Sequence, residues 1–135
     1  DLCNLRCRYC MPESGVEQVG HREILTHEEN LRLARLFCGL GTRKIRVTGG
    51  EPLVRPDVVP FMVALAALPS RPEILLATNG LLLERHLDEL AAGGLRRVNL
   101  SLDSLDPGIW RRITRRDGHG TVLRASDAVL DSAQG

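Results

Sequence analysis

The segment Arg97-Val-Asn-Leu-Ser-Leu-Asp103 decides the fold, because its residues alternate between apolar and polar side chains. Successive side chains of a β-strand point to opposite faces of a sheet. The apolar face carries Val98, Leu100 and Leu102, and the polar face carries Asn99, Ser101 and Asp103. Such a polar row is hard to satisfy in an open sheet covered by helices on both faces, whereas it can line the lumen of a barrel that holds a ligand. The segment therefore favours a barrel over a doubly wound sheet.

Two earlier segments are predicted to pair with this strand. Lys44–Thr48 alternates in the same way, and Glu73–Thr78 is a mostly apolar run typical of a strand covered on both faces. The three strands begin at residues 44, 73 and 97, which leaves room for a helix in each gap. Crossovers of this length require a parallel sheet. We therefore expect an α/β chain that forms part of a (β/α) TIM-type barrel, with parallel strands and outer helices.

The predicted helices carry their own end signals. Thr26 and Glu29 form a capping-box pattern before a helix that extends to Leu40, and Gly41 fits the position just after its end. Asp57 is predicted to cap a second helix. The apolar faces expected of these helices are Leu33, Leu36, Phe37 and Leu40 on the first, and Phe61, Leu65 and Leu68 on the second. Further helical stretches are expected at Leu83–Ala91, Pro107–Thr114 and Thr121–Ala133.

Composition and charge argue against several classes of function. The 135 residues include 18 basic and 17 acidic side chains, so no overall field draws the chain to nucleic acid or to an acidic membrane. The longest nearly apolar run, Val58–Leu68, contains Pro60 and is too short to span a bilayer. The length suits one domain or part of a larger one. Because the chain begins at Asp1 rather than Met, we expect a piece of a longer protein.

Three of the four cysteines lie close together in Cys3-Asn-Leu-Arg-Cys7-Arg-Tyr-Cys10. A secreted disulfide framework would spread its cysteines, so this spacing indicates a metal centre in a reducing cytoplasm. Three thiolates can bind three irons of a cubane iron–sulfur cluster and leave the fourth iron open for another ligand. The competing metal is zinc, which needs a fourth ligand in a closed tetrahedral site, and His21 is the nearest candidate. Cys38 is predicted to be a small buried residue of a helix.

Two turns follow the first two predicted strands. Thr48-Gly-Gly-Glu-Pro52 lets backbone groups approach a ligand, and Glu51 can accept hydrogen bonds from an ammonium group. It lacks the fingerprints of dinucleotide and phosphate loops. The second turn is Thr78-Asn79-Gly80. Either turn alone is typical of an ordinary connection, but ligands of parallel α/β folds bind at the carboxyl ends of the strands, where both turns lie.

Together these motifs resemble those of the radical S-adenosylmethionine (SAM) enzymes. The resemblance extends over essentially the whole chain, and its more specific part points to the molybdenum cofactor biosynthesis protein A family, the GTP 3′,8-cyclases. The segments that carry it are Cys3–Glu13, Thr48–Pro52, Thr78–Gly80 and Ser101–Ser104, with Arg46–Asp57 and Val98–Pro107 for the more specific family. The resemblance implies that residues 1–135 are an incomplete radical SAM core domain, the N-terminal part of a longer chain.

The resemblance also implies roles for individual residues. Cys3, Cys7 and Cys10 would bind a [4Fe–4S] cluster, and Tyr9, Gly50 and Ser101 would contact S-adenosylmethionine. Arg46 would contact GTP, for which an arginine suits the anionic phosphates; its alternative is an ion pair with Asp103. Ala77 stands where the family commonly has a threonine, so one hydrogen bond to GTP, worth about 1 kcal/mol, would be absent.

The reaction implied by the resemblance needs an external electron donor. One electron would cleave S-adenosylmethionine to methionine and a 5′-deoxyadenosyl radical, which would abstract the 3′ hydrogen of GTP before the sugar carbon attacks C8 of guanine. Family members hold a second iron–sulfur site in a C-terminal region, and this chain has no cysteine after Cys38. We therefore expect residues 1–135 alone to be inactive. The expected enzyme is cytoplasmic, with no nucleic-acid or membrane partner, and could form a homo-oligomer.

Three alternatives stay open at the level of sequence. Another radical SAM maturase, acting on a peptide or a tetrapyrrole, would share the cysteine motif and the glycine turn. A zinc-binding module without enzymatic activity would share only the cysteines. A degenerate fragment would keep the motifs but bind no substrate.

Overall fold

The computed structural model describes residues 2–17 and 19–132, apart from the side chain of His21. Within these residues helices and strands alternate. The elements are α1 (His27–Gly39), β1 (Lys44–Val47), α2 (Val58–Ala66), β2 (Glu73–Thr78), α3 (Leu87–Ala92), β3 (Arg97–Leu100), α4 (Pro107–Thr114) and α5 (His119–Ser132). Short 3₁₀ helices lie at His21–Glu23, Pro52–Val54 and Leu83–His86. In this described part, no helix has the length and apolar character needed to cross a bilayer.

The three strands form one parallel sheet in the order β1-β2-β3. Its register places Arg46 beside Leu75 and Leu75 beside Arg97, so these residues form one row across the sheet. The prediction of an α/β chain with parallel strands and crossover helices is confirmed. Over the described residues the sheet stays open at β1 and β3, so a closed barrel is not part of this structure.

The helices pack against one face of the sheet. This face carries Ile45, Val47, Ile74, Leu76, Val98 and Leu100, and the helical layer supplies Met62, Leu65, Leu83 and Leu90. Leu76 and Leu83 have no exposed surface. Because full burial of an aliphatic side chain contributes about 1.5–3 kcal/mol, this layer fixes which way the strands face and therefore which side chains remain on the open side.

The open face carries the polar row that the alternation predicted. Lys44 and Arg46 on β1 and Asn99 on β3 are exposed, and alternate residues of β2 are half-buried. The prediction that β2 is covered on both faces is wrong for the described residues. Its second face holds Glu73, flanked by Lys44 at 3.2 Å and Arg97 at 2.6 Å, so long side chains of the neighbouring strands provide the partial cover that helices were expected to give.

Helix α1 begins as predicted but turns a different face inward. The Thr26 hydroxyl accepts from the Glu29 N–H at 3.2 Å, and the Glu29 carboxylate accepts from the Thr26 N–H at 2.8 Å, which confirms the capping box. Gly41 follows the helix with φ of +103°, as expected of a helix end. The buried residues are Ala34 and Cys38, whereas the predicted face (Leu33, Leu36, Phe37 and Leu40) is 40–84% exposed. Spacing alone does not distinguish two apolar faces of one helix.

Helix α2 differs from its prediction at its start. Asp57 occupies the N-cap position, but with φ of 58° its side chain makes no capping hydrogen bond, so the predicted cap is wrong. Leu65 and Leu68 are buried as predicted. Phe61 is half-buried and stacks on His27, with ring centroids 4.7 Å apart. The side chains that bury most of α2 are Val58, Val59, Met62 and Leu65.

The ends of two further elements also differ from the prediction. Strand β3 ends at Leu100 rather than Asp103, although the Ser101 N–H still donates to the Thr78 carbonyl at 2.9 Å. Helix α4 has the predicted bounds. Helix α5 begins at His119 and is described as far as Ser132; the predicted end at Ala133 lies outside the described residues.

Candidate functional site

The cysteine-bearing loop is held by the end of helix α4. The last carbonyls of a helix have no partner within it, and here the N–H groups of Arg6 and Arg8 donate to the carbonyls of Thr114 and Ile113 at 3.0 and 2.9 Å. Leu5, which directly precedes Arg6, is 4% exposed and packs in the small core of Trp110. A backbone ladder and a buried side chain therefore fix the loop against the helix.

Two arginine side chains hold the carbonyl groups of the same loop. Arg6 Nη1 donates to the Cys3 carbonyl at 2.6 Å and to the Leu5 carbonyl at 2.8 Å. Arg115 Nη1 donates to the carbonyls of Arg6 and Met11 at 3.3 and 3.2 Å. Sequence analysis did not predict the contact of Arg115, because residues 6 and 115 are far apart in the chain.

The loop presents the three predicted cysteines as free thiols. Cys3 and Cys7 are half-buried and Cys10 is exposed. Burial raises the pKa of the Cys7 thiol above its ordinary value, a hydrogen bond from Tyr9 lowers it, and Asp103, Cys3 and Cys10 raise it further. Cys7 thus lies near enough to Cys3 and to Cys10 for their thiolate charges to oppose its ionisation, and a cation that replaces the protons relieves the repulsion.

The donor set fits a cubane cluster. Among the described residues, no three His, Cys, Asp or Glu side chains converge on a position where they could hold a single metal ion. A cubane is bound differently from a single ion, since three thiolates surround one cluster and each binds a different iron. The side chain of His21, the fourth ligand in the zinc alternative, lies outside the described residues.

The glycine turn after β1 lies directly against this loop. A side chain at Gly50 would overlap the Leu2 carbonyl and would come within 3.2 Å of Cys3 Cβ, so only glycine fits. The next residue, Glu51, donates its N–H to the Leu2 carbonyl at 2.8 Å. The turn is therefore where the chain before Cys3 crosses the end of β1.

The Glu51 carboxylate points into the protein. It is 2% exposed, and its Oε1 accepts from Leu53 N–H at 3.1 Å and from the Thr78 hydroxyl at 2.8 Å. Its Oε2 accepts from Asn79 N–H at 2.7 Å. The ammonium acceptor expected from the sequence is thus engaged with the turn that follows β2.

The turn after β2 reaches the cysteine loop through an amide pair. Asn79 Oδ1 accepts from Leu81 N–H at 3.1 Å, which orients the amide so that Nδ2 donates to Asn4 Oδ1 at 2.7 Å. Sequence analysis assigned no role to Asn4. A short polar side chain beside Cys3 was the only signal that could have indicated its role.

A third contact joins the cysteine loop to the end of β3. The Tyr9 hydroxyl lies 3.1 Å from each carboxylate oxygen of Asp103. Partial desolvation of the hydroxyl and its bond to Asp103 raise the pKa of Tyr9 above its ordinary value, so the hydroxyl stays protonated and donates. Tyr9 remains 69% exposed. Each strand end is therefore tied to the loop, through the pairs Glu51–Leu2, Asn79–Asn4 and Asp103–Tyr9.

The remaining predicted site residues lie on the open face of the sheet or just beyond the carboxyl end of a strand. Arg46 is exposed and has no hydrogen-bond or ion-pair partner among the described residues, and the alternative pair with Asp103 is not formed. Ala77 is half-buried beside Asn99. Ser101 is exposed just beyond β3.

Comparison with known proteins agrees with this arrangement. A family model described as the radical SAM superfamily matches residues 1–133. The chain belongs to the radical SAM superfamily. The cofactors of this family are a [4Fe–4S] cluster and S-adenosylmethionine, and they are the cofactors of this chain.

Several radical SAM relatives are similar over most of the chain. The "GTP 3′,8-cyclase" of Geobacter sulfurreducens is 50% identical over 129 residues, which cover 96% of this chain and 39% of the relative. That of Heliobacterium modesticaldum is 51% identical, covering 96% and 40%. The "Molybdenum cofactor biosynthesis protein 1" of Drosophila melanogaster is 49% identical, covering 96% and 23%. The chain thus spans about two fifths of the length of the two bacterial relatives.

Proposed function

We propose that the chain belongs to a GTP 3′,8-cyclase that acts in molybdenum cofactor biosynthesis. The observation that carries the proposal is the identity of about half of all positions with proteins of that name over 96% of the chain. The open polar face supports the proposal, because Arg46 on this face would present a positive charge to a ligand bound beside the glycine turn. The alternative, a radical SAM maturase acting on a peptide or a tetrapyrrole, would share the cysteine motif and the glycine turn.

In this proposal Cys3, Cys7 and Cys10 hold the [4Fe–4S] cluster. With S-adenosylmethionine bound, the cluster supplies a carbon-centred radical after one-electron reduction by an external donor. The protein's own contribution is positional: the ladder from Arg6 and Arg8 to α4 holds the loop that bears the three thiols. Tyr9, Gly50 and Ser101 are assigned to S-adenosylmethionine. These three residues lie near the carboxyl ends of β1 and β3, where the cysteine loop crosses the sheet.

Arg46 and Ala77 are assigned to GTP. Both are on the open face, Arg46 on β1 and Ala77 on the neighbouring strand. The guanidinium of Arg46 has no partner in the part of the chain that the structure describes, and a fork of parallel N–H groups suits a phosphate oxygen pair. Ala77 offers only a methyl group where a threonine would offer a hydroxyl, so this chain binds GTP with one side-chain hydrogen bond fewer.

The finer architecture belongs to the same proposal. The open face would line the lumen of a (β/α) barrel, and residues 1–135 would form part of its radical SAM core domain. The enzyme would work in the reducing cytoplasm, without nucleic acid or membrane as a partner, and would accept electrons from a separate donor. Assembly as a homo-oligomer is compatible with this arrangement.

Anaerobic reconstitution of the full-length protein with iron and sulfide, followed by reaction with S-adenosylmethionine, reductant and GTP, tests the function. The expected results are a broad visible absorbance from the cluster and conversion of GTP to a cyclised product that retains its carbons. Zinc binding without visible absorbance would contradict the cluster, since Zn²⁺ is d¹⁰. A loaded cluster that cleaves S-adenosylmethionine but leaves GTP unchanged would contradict the substrate and favour another radical SAM activity.

A further inference from the structure

The geometry points to Glu51 as a positioning residue that joins the glycine turn and the Thr78–Gly80 turn to the cysteine loop, rather than as a ligand of the cofactor's ammonium group. The inference rests on the proposed function in one respect, that Cys3 is a cluster ligand. Its consequence is that retention of the cluster depends on a buried carboxylate that touches neither iron nor cofactor.

The first step concerns what the Glu51 carboxylate can still accept. A carboxylate offers about four acceptor positions on its two oxygens. Three are used, by the Leu53 N–H, the Thr78 hydroxyl and the Asn79 N–H, at distances of 2.7–3.1 Å. The side chain is 2% exposed. A ligand ammonium would therefore have to enter the protein interior or displace a backbone donor to reach it.

The second step follows the contacts from Glu51 to Cys3. Glu51 donates its own N–H to the Leu2 carbonyl, and its Oε2 holds the backbone of Asn79, whose amide donates to Asn4. Leu2 and Asn4 are the two neighbours of Cys3 in the chain. The position of Cys3 is thus held from both sides by contacts that meet at one residue.

The third step concerns substitution of the carboxylate. In a Glu51→Gln variant, the side-chain amide would place an NH₂ group opposite one of the N–H donors that the carboxylate now accepts, so two donors would face each other in a buried place. An NH₂ group at the Oε2 position would face the Asn79 N–H and displace the turn after β2, and at the Oε1 position it would face the Leu53 N–H and displace the glycine turn. Either movement would reach the cysteine loop, through Asn79 and Asn4 or through the Leu2 carbonyl. The substitution is therefore expected to act on the cysteine loop although it retains the shape of the side chain.

The test measures cluster retention and cofactor affinity separately, in the full-length protein. The variants are Glu51→Gln, Asn4→Ala and their combination, and the matched control is Glu84→Gln, whose carboxylate is 49% exposed and lies 3.8 Å from Arg124. After anaerobic reconstitution, the rate of iron loss to a chelator and the affinity of the remaining loaded protein for S-adenosylmethionine are measured. Circular dichroism checks the fold.

Glu51→Gln and Asn4→Ala are each expected to speed iron loss by about tenfold, the effect of one buried hydrogen-bond partner. The double variant should lose iron little faster than Glu51→Gln alone, because both changes break one path. Cofactor affinity of the loaded fraction should change less than about threefold. The Glu84→Gln control should behave as the unsubstituted protein. Asn4→Ala carries the test if Glu51→Gln does not fold.

Two results would overturn the inference. One is a Glu51→Gln variant that keeps its cluster but loses cofactor affinity by about tenfold or more, as an ammonium ligand would. The other is an Asn4→Ala variant that loses iron at the unsubstituted rate. GTP conversion is not among the measurements, so a protein that fails to convert GTP would contradict the proposed function and leave this result intact.

Discussion

Arg46 differs from the other cations on its face of the sheet, because Lys44 and Arg97 both pair with Glu73 and Arg46 pairs with nothing among the described residues. Replacement of Arg46 by Ala is expected to weaken GTP binding by roughly 10- to 150-fold, which corresponds to about 1.5–3 kcal/mol for a charge-assisted hydrogen bond. Calorimetric titration of the full-length protein measures it. Lys44→Ala is the matched control and should change GTP affinity little. Unchanged affinity in Arg46→Ala would remove the substrate assignment.

Ala77 permits the opposite experiment at the residue scale. The side chain is half-buried on the open face of a β-strand, where a β-branched residue is readily accommodated. Ala77→Thr restores the hydroxyl expected of the family and should tighten GTP binding by about 1 kcal/mol, or roughly fivefold. The same titration measures it. Weaker binding would mean that the site has adapted to the smaller side chain.

The cysteines divide into two classes that substitution separates. Cys38 is 7% exposed in the core between helices and lies on α1, whereas Cys7 lies on the loop. Cys7→Ala should abolish cluster binding, and Cys38→Ala should leave iron content unchanged while costing about 1 kcal/mol of stability or less, because only one buried sulfur is removed. Iron analysis after reconstitution and thermal unfolding measure the two effects. Loss of iron in Cys38→Ala with retention in Cys7→Ala would reverse the ligand assignment.

At the scale of elements, local sequence signals predicted where helices and strands begin and end. They did not predict which helix face is buried or which distant residues are in contact. The capping box of Thr26 and Glu29, the bounds of β2 and those of α4 follow from residues within one turn or one run of side chains. The buried face of α1 was predicted wrongly, because the choice between two apolar faces depends on what packs against the helix. The contacts of Asn4 and Arg115 were missed for the same reason, since their partners are distant in the chain.

The capping box of α1 has a measurable contribution of its own. Thr26→Ala removes the hydroxyl that accepts from the Glu29 N–H and is expected to destabilise the protein by about 1 kcal/mol. Thr26→Ser keeps the hydroxyl and is the control, with a smaller loss. Thermal unfolding of the apoprotein measures both. Equal destabilisation by Ala and Ser would show that the methyl group of Thr26, rather than its hydroxyl, supports the helix.

At the scale of the whole molecule, the fold class and the polar face could be predicted because they depend on pattern repeated over three strands. The spacing of strand starts required crossovers, and alternation within β3 separated the two faces. The ties between strand ends and the cysteine loop could not be predicted, because they join backbone and side-chain atoms whose distances depend on how the whole sheet twists. The geometry of the site therefore depends on the whole sheet and on the cysteine loop that crosses the ends of its strands.

Charge balance over the chain gives the last prediction. The 18 basic and 17 acidic side chains of these 135 residues nearly cancel, so this part of the protein would attract GTP weakly at long range, and its electrostatic contribution to the proposed binding would come from cations that touch the nucleotide. Added salt screens such contacts. Raising the salt concentration should weaken GTP binding in the unsubstituted protein. The slope of log affinity against log salt concentration should be smaller in Arg46→Ala, because one contacting charge is gone. Neutralising an exposed cation of α1, as in Arg35→Gln, should leave the slope unchanged. Equal slopes for Arg46→Ala and the unsubstituted protein would mean that the guanidinium of Arg46 does not face the phosphates.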